Sequence, residues 1–308
     1  MRHVFVVNPC AGRSDASGYI RQRVADMDMR AEVHTTRQPL DAKRFVAAWL
    51  AAHKGEAVRF YACGGDGTLN EVVAGIMGSH ASGAEVACYP CGSGNDFIKY
   101  YGGGAFASLE ALAAGRSVPV DVMRLGDRYC VNTLNYGFEA AVCHAMGKVR
   151  RLPLAGGRMA YTTGIITSLA TARRNRCRVT VDGEAWIDGE VLLLSLANGM
   201  YAGGGYKCAP RARNDDGLLE VTSVKPMSIA RFAQLIKYYK NGELLDRDGL
   251  RSVVSYRRGR RVVIEADGDA FVATDGEIVQ GCRFEVECLK QAVNFVLPEA
   301  YKADTLTS

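Results

Sequence analysis

Three short glycine-bearing segments carry residue types that could handle a polyphosphate. They are Asn8-Pro9-Cys10-Ala11-Gly12, Gly64-Gly65-Asp66-Gly67-Thr68 and Pro90-Cys91-Gly92-Ser93-Gly94-Asn95-Asp96-Phe97. Each follows an apolar run that reads as a strand: His3–Val7, Val58–Cys63 and Val86–Pro90. In open α/β sheets ligands bind beyond the carboxyl ends of strands, so these loops share one target. The middle loop leads into Leu69–Met77, which reads as a helix. Its glycines let the backbone come close to a ligand, and the first N–H groups of a helix suit phosphate. Asp66 can orient a magnesium ion or its waters. Thr68 would equally serve as a helix cap, and each loop alone could be a tight turn. No GxxxxGK[ST] is present and no GxGxxG opens the first helix, so neither a P-loop nor a dinucleotide fingerprint is indicated. Phosphate would be held by main-chain N–H groups and a divalent cation.

The elements around these loops alternate. Helical patterns at Ala16–Met27, Asp41–His53, Thr68–Met77 and Ala105–Ala114 separate the strands, with a further strand at Ala31–Thr36. That alternation predicts a doubly wound parallel sheet with right-handed crossovers. After Ser117 strand-like runs dominate: Val118–Leu125, Arg128–Leu134, Cys177–Val181, Glu190–Ala197, Leu218–Val224, Val262–Ala266, Phe271–Thr274, Phe284–Cys288 and Val293–Leu297. Gly126-Asp127, Asp182-Gly183, Asp267-Gly268 and Asp275-Gly276 read as the turns between them. This predicts an antiparallel β-rich domain. Helices are expected at Glu139–Val149, Arg158–Thr171 and Ser228–Tyr239. The boundary falls near Asp121, giving domains over 1–121 and 122–308, and whether the last residues rejoin the first domain is open.

Composition agrees with a globular protein: 308 residues, 48% hydrophobic and 23% charged. No apolar run reaches the roughly 18–20 residues of a membrane span, and the N-terminus lacks a signal-peptide pattern. A cytoplasmic protein is expected, with any membrane contact peripheral, at the inner surface. The ten cysteines then read as reduced, mostly buried thiols. Residues 1–121 balance 12 basic against 12 acidic side chains, while 122–308 hold 26 against 21. Lys148–Arg178 contains eight basic residues and no acid. That segment is either a solvated face or one drawn to an anionic surface.

The motifs NPCAG at 8–12, GGDGTLNEV at 64–72, PCGSGNDF at 90–97, DDGLLEV at 215–221 and DGE at 275–277 resemble the bacterial diacylglycerol kinase family of soluble lipid kinases. They stand in the family's order. GGDGTLNEV is shared with the wider superfamily of sphingosine and ceramide kinases and, more distantly, NAD kinases and phosphofructokinases. The resemblance implies an NAD kinase-like three-layer α/β domain followed by a β-sandwich. It implies transfer of a phosphoryl group from ATP, with Mg2+, to a lipid hydroxyl. Asn8, Pro9, Cys10, Ala11, Gly12 and Thr36 would line the nucleotide. Gly65, Asp66, Gly67, Thr68, Leu69, Asn70 and Glu71 would hold the phosphates, with Asp66 near the catalytic magnesium. Ser93 stands where the family usually has threonine and keeps the hydroxyl for ATP. Asp121 would join the magnesium network. A second, structural magnesium is implied at the carboxylate of Asp216 and the carbonyls of Arg213 and Leu218.

Two Asp-Gly-Glu tripeptides occur, at 182–184 and 275–277, and either could be a hairpin turn. Only the second has the family's position, downstream of DDGLLEV. The resemblance makes Glu277 the proton acceptor with Asp275 beside it, without deciding which takes the proton. The implied partner is a lipid substrate, and the acid-free segment Lys148–Arg178 could dock the enzyme on a peripheral anionic membrane surface. No nucleic-acid module is recognisable, and a homodimer is compatible with the chain. Diacylglycerol, a sphingoid base, another lipid alcohol and NAD all stay open as acceptors. A non-catalytic lipid- or nucleotide-binding regulator is the reading from another class.

Overall fold

The computed structural model describes residues 1–149, 174–299 and 301. β1 (Arg2–Val7), β3 (Val58–Gly64) and β4 (Ala84–Pro90) pair in parallel, with β2 (Ala31–Thr35) beyond β1 at the edge. β3 is buried at every position, as a strand covered on both faces must be. The helices α1 (Ser17–Ala25), α2 (Asp41–Ala52) and α3 (Asp66–Ser79) cover it. The expected helix over 105–114 is broken instead. A 3-10 turn at Gly104–Ala107 precedes a short α5 (Leu109–Ala113), whose Ser108 caps the Ala111 N–H. The one-turn helix α4 (Asp96–Lys99) opens that region.

The second half is antiparallel. Its strands are β5 (Arg116–Leu125), β6 (Arg128–Cys130), β7 (Thr133–Gly137), β8 (Asn175–Val181), β9 (Glu184–Val191), β10 (Leu193–Ala197), β11 (Leu219–Val224), β12 (Val254–Gly259), β13 (Arg261–Thr274) and β14 (Glu277–Leu297). Two helices join them, α6 (Phe138–Val149) and α7 (Ile229–Asn241), while the helix expected at 158–171 lies outside the described residues. Apolar side chains of β7, β8, β10, β11, β13 and β14 form one core cluster. A separate cluster lies under α6 and α7, including Phe138, Leu192, Phe232, Leu235 and Tyr239.

Several sequence boundaries are corrected. Asp267-Gly268 does not end a strand. β13 runs through it, and the pairing with β14 shifts register between Glu265 and Ala270. A bulge absorbs the dipeptide that elsewhere makes a hairpin. Phe284–Cys288 and Val293–Leu297 belong to one strand, β14, with a register shift between Leu289 and Val293. Glu190–Ala197 is split between β9 and β10, and β9 and β12 carry too little alternation to be read as strands.

β14 joins the two halves. It pairs antiparallel with β5 along both, and its end pairs in parallel with β4, at Asn294–Glu85 and Phe295–Val86. Where β14 bulges, Gln291 has φ 52°, and its N–H donates to Asp121 Oδ1 at 2.7 Å. The other oxygen of this fully buried carboxylate accepts the Gly217 N–H at 2.6 Å. Asp121 thus ties β5, the bulge and the 213–218 loop together with charge-assisted bonds.

Candidate active site

The registers of the parallel strands set the site. Val7 lies beside Cys63 and Thr35, and Gly64 beside Pro90. Residues after these strands therefore emerge together at one edge. The Asn8 N–H donates to the Cys63 carbonyl at 2.9 Å, and the Thr36 N–H to the Val7 carbonyl at 2.8 Å. Asn8 Nδ2 then reaches Thr68 Oγ1 at 3.1 Å, so the first loop is clipped to the start of α3. Thr68 accepts that bond and is not the helix cap expected of it, since α3 already begins at Asp66 with Gly65 in the cap position.

The loops approach main chain to main chain. Gly12 has φ 76°, and a Cβ there would lie 2.1 Å from the Cys91 carbonyl oxygen. A Cβ at Gly92 would lie 2.5 Å from the Gly65 Cα. Only glycine permits this spacing. The Cys91 and Gly92 N–H groups both donate to the Gly64 carbonyl, at 2.9 and 3.0 Å. The result is a backbone cradle at the head of α3, where the helix presents its first N–H groups.

Asp66 sits at that head, half-buried, its Oδ1 accepting the Phe97 N–H at 3.1 Å. Burial first, and then the neighbouring Asp96, push its carboxyl above the ordinary range. One carboxylate beside the phosphates of a nucleotide is the kind of ligand a hard divalent cation uses, so Asp66 would be the residue to hold a magnesium ion. Asp96 is buried and was not singled out in the sequence. Lys99 Nζ donates to its Oδ1 at 2.6 Å, and the Gly204 N–H to its Oδ2 at 2.7 Å. The signal was an acid just after Asn95 at a helix start, which reads equally as a cap. Glu71 has another partner: its carboxylate accepts the Leu40 and Ala42 N–H groups at the start of α2, at 2.9 and 3.1 Å. The thiols of Cys63, Cys88 and Cys91 are free, and burial raises all three, Cys91 to about 11.

The second Asp-Gly-Glu tripeptide arrives from the sandwich. Asp275 and Gly276 have φ 46° and 88° and join β13 to β14 in a two-residue hairpin. The Asp275 carboxylate accepts the N–H groups of Val131 at 2.8 Å, Thr133 at 2.9 Å and Asn132 at 3.2 Å. Asn70 of α3, turned so that its amide nitrogen faces acceptors, donates to Asp275 Oδ2 at 3.2 Å and to the Tyr129 carbonyl at 3.0 Å. That bond couples α3 to the hairpin. Enclosure of the carboxyl group pushes the Asp275 pKa up to about 6 against those N–H donors, and Asp66 adds to the rise. Glu277 is less confined: its side chain is 41% exposed, with Arg128 Nη1 3.6 Å away.

The 213–218 loop is arranged differently. Asp216 Oδ1 accepts the Leu218 N–H at 3.0 Å, and its Oδ2 pairs with the Arg258 guanidinium. Arg213 turns its side chain to Asp215, at 3.2 Å. Each oxygen of Asp216 thus takes one protein donor. Among the described residues no cluster of three or more His, Cys, Asp or Glu side chains could hold a metal.

The motifs and this geometry meet in the comparisons with known proteins. A family model for the diacylglycerol kinase catalytic domain matches residues 2–125, and one for the YegS C-terminal NAD kinase beta sandwich-like domain matches 132–297. A protein of Xanthomonas euvesicatoria pv. vesicatoria strain 85-10, named probable lipid kinase YegS-like, is 30% identical over 296 residues, covering 92% of this chain and 91% of its own. The chain belongs to the YegS-like lipid kinase family. A YegS-like relative from Serratia proteamaculans strain 568 is 28% identical over 281 residues, covering 90% of this chain and 88% of its own. Among solved structures, a diacylglycerol kinase from Bacillus anthracis str. Sterne superimposes with TM-score 0.70 at 20% identity, covering 98% of each chain. An NAD kinase from Archaeoglobus fulgidus, solved with ATP, gives TM-score 0.50 at 12% identity, over 99% of this chain and 97% of its own. At those identities the likeness shows the fold. This lipid kinase has an NAD kinase-like α/β domain and a β-sandwich-like domain that share a mixed sheet.

Proposed function

We propose that this YegS-like kinase transfers the γ-phosphoryl group of ATP to the hydroxyl of diacylglycerol or a related lipid alcohol. The observation that carries the reading is the bond from Asn70 to Asp275, which brings the glycine cradle and the acid-bearing hairpin to one place. The loops after β1, β3 and β4, with Thr36 and Ser93, would hold the nucleotide. Magnesium bound at Asp66 would neutralise the charge spread over the phosphate oxygens. Phosphoryl transfer needs positioning and charge compensation more than covalent chemistry.

The two acids of the hairpin divide the work. Three main-chain N–H groups and Asn70 fix Asp275, which makes it a positioning residue for the turn. Glu277 keeps a partly solvated carboxylate and is the better proton acceptor. The acceptor oxygen forms a bond to the γ-phosphorus as the bond to the β–γ bridging oxygen breaks. ADP leaves, and the hydroxyl proton passes to Glu277.

The anionic-surface reading of 148–178 keeps only part of its support. Arg174 pairs with Glu190 at 2.6 Å, and Arg176 and Arg178 lie 3.6 and 4.0 Å from Asp188. Acids of β9 offset these three arginines, and 150–173 lies outside the described residues. Among the described residues no helix is long and apolar enough to cross a membrane.

The test is an acceptor screen with labelled ATP over diacylglycerol, a sphingoid base, a prenol and NAD, with and without magnesium. Lipid product is expected from the wild type, with a loss of 100-fold or more, by the usual scale for a removed electrostatic group, in Asp66→Asn. Wild-type turnover in that variant would remove Asp66 from the site. Labelling of NAD alone would overturn the lipid assignment.

A further inference from the structure

The three glycine segments of the cradle, 8–12, 64–68 and 90–97, contain no lysine or arginine. Their acids stand close together. A Cβ at Gly94 would lie 2.8 Å from Asp66 Oδ2 and 3.8 Å from Asp96 Oδ2. Two carboxylates around one glycine repel a polyphosphate unless cations offset them. A divalent ion at Asp66 would offset part of that charge. The chain brings a cation of its own to the same place, Lys99 at the end of α4.

Lys99 is held there by a buried partner. Its Nζ donates to Asp96 Oδ1 at 2.6 Å, and the Gly204 N–H donates to Asp96 Oδ2 at 2.7 Å. The Asp96 side chain is 7% exposed and is fixed from both sides. An i,i+3 pair on a helix surface is ordinarily a minor stabiliser with both partners in water. This pair has its acid enclosed beside the cradle. Lys99 acts on Asp66 too, favouring its ionised form where Asp96 disfavours it. A lysine ammonium carries three donors, and Asp96 takes one. The other two have no acceptor among the described residues, and the Lys99 side chain is 33% exposed. The ammonium is therefore anchored and still has donors to offer a ligand.

A strap from the sandwich half closes over the pair. Ala202 and Tyr206 exchange two N–H···O bonds of 2.9 Å, and Gly203, Gly204 and Gly205 between them have φ 63°, 84° and 119°. The turn brings bare backbone to the lysine: a Cβ at Gly205 would lie 3.4 Å from Lys99 Nζ. The ammonium thus lies where the nucleotide half meets the half that would hold the acceptor. In a phosphoryl transfer the group in flight crosses that junction with its charge spread over three equatorial oxygens.

We infer that Lys99 is a catalytic residue whose ammonium donates hydrogen bonds to the oxygens of the transferring γ-phosphoryl group, held in place by Asp96. The inference rests on the kinase reading. Lys99 transfers no proton. It offsets charge on the group passing between the two halves, and ADP itself does not depend on it. The experiment is a calorimetric titration of the full chain with MgADP, alone and with aluminium fluoride, which takes the place of the transferring group. Lys99→Gln should bind MgADP like the wild type and bind the aluminium fluoride complex on the order of 100-fold more weakly, the usual scale for one removed electrostatic donor. Lys99→Arg keeps the charge and should recover most of that loss. Lys54→Gln removes the same charge just past the far end of α2 and should match the wild type in both titrations. Urea curves of the three variants check that each is folded. With diacylglycerol in detergent micelles, Lys99→Gln should lower kcat about 100-fold and leave the nucleotide KM within about twofold, as for a contact made only in the transition state. Undiminished affinity of Lys99→Gln for the aluminium fluoride complex overturns the inference. So does an equal loss in both nucleotide complexes, which would make the lysine a support for ground-state binding. A wild type that binds no MgADP overturns the kinase reading and the inference together. If MgADP binds and diacylglycerol is not phosphorylated, only the acceptor assignment falls, and the titrations still decide Lys99.

Discussion

The two Asp-Gly-Glu tips are nearly the same piece of structure put to different ends. Asp182 and Gly183 have φ 52° and 84°, as Asp275 and Gly276 have 46° and 88°. In each tip the aspartate N–H donates to a carbonyl of another strand, Arg261 at 2.8 Å or Thr133 at 2.9 Å. Each aspartate also gathers N–H groups with its carboxylate: Arg260 and Arg261 for Asp182, and Val131, Asn132 and Thr133 for Asp275. Even the glutamates match, with Glu184 2.7 Å from Arg257 and Glu277 3.6 Å from Arg128. What differs is the surroundings. Asp182 is exposed at the end of a hairpin, whereas Asp275 is enclosed and touched by Asn70 of α3. A tripeptide sets the turn, and the chain that packs against it sets the chemistry.

The sharpest way to break this comparison is to remove the glutamates. Glu277→Gln keeps the shape and deletes the proton acceptor. We expect its kcat for lipid phosphorylation to fall roughly 100- to 10,000-fold, the usual range for general-base loss, with little change in nucleotide KM. Glu184→Gln should stay within about twofold, since an exposed pair contributes little. Equal losses would show that both tips serve the fold alone.

The aspartates sharpen the contrast through pH. The folded pKa of Asp275 is raised to about 6, above its unfolded value near 3.8. Its favourable contribution is therefore fully present below about pH 4 and is lost as pH rises through 6. The wild type should lose on the order of 3 kcal/mol relative to Asp275→Asn between pH 4 and pH 7. Urea unfolding of the two proteins at both pH values measures it. A difference between them that stays constant with pH would mean that Asp275 is ionised as easily as in the unfolded chain.

The same pair of tips shows what could be read in the sequence. The glycine loops, their order and the helix that starts within GGDGT follow from local chemistry, and the structure places the loops at one sheet edge. Asp267-Gly268 did not follow, because the same dipeptide makes a turn at 182 and 275 and a bulge at 267. Strand pairing decides between those outcomes, and pairing is long-range. Asp216 and Glu71 failed to show their partners for a like reason. Arg258 is 42 residues from Asp216, and the Leu40 N–H is 31 residues from Glu71. A carboxylate announces that it needs donors but does not say which stretch of chain will bring them.

The smallest expected effect concerns the arginines that face the two glutamates. Arg128 and Glu277 are 47% and 41% exposed and 3.6 Å apart. A pair this open is screened by water and salt and holds about 0–1 kcal/mol. Arg128→Gln should therefore leave the unfolding midpoint close to wild type, as Arg257→Gln should at the other tip. If Glu277 takes the substrate proton, however, Arg128 adds field at the reacting carboxylate, and Arg257 has no such role. A few-fold change in kcat is expected for Arg128→Gln at low salt, fading above the ionic strength where the Debye length drops to roughly 3 Å. Arg257→Gln should show no change at any salt. An Arg128 variant whose kcat equals that of wild type at low salt would place the proton transfer away from Glu277 and return Asp275 to the choice of bases.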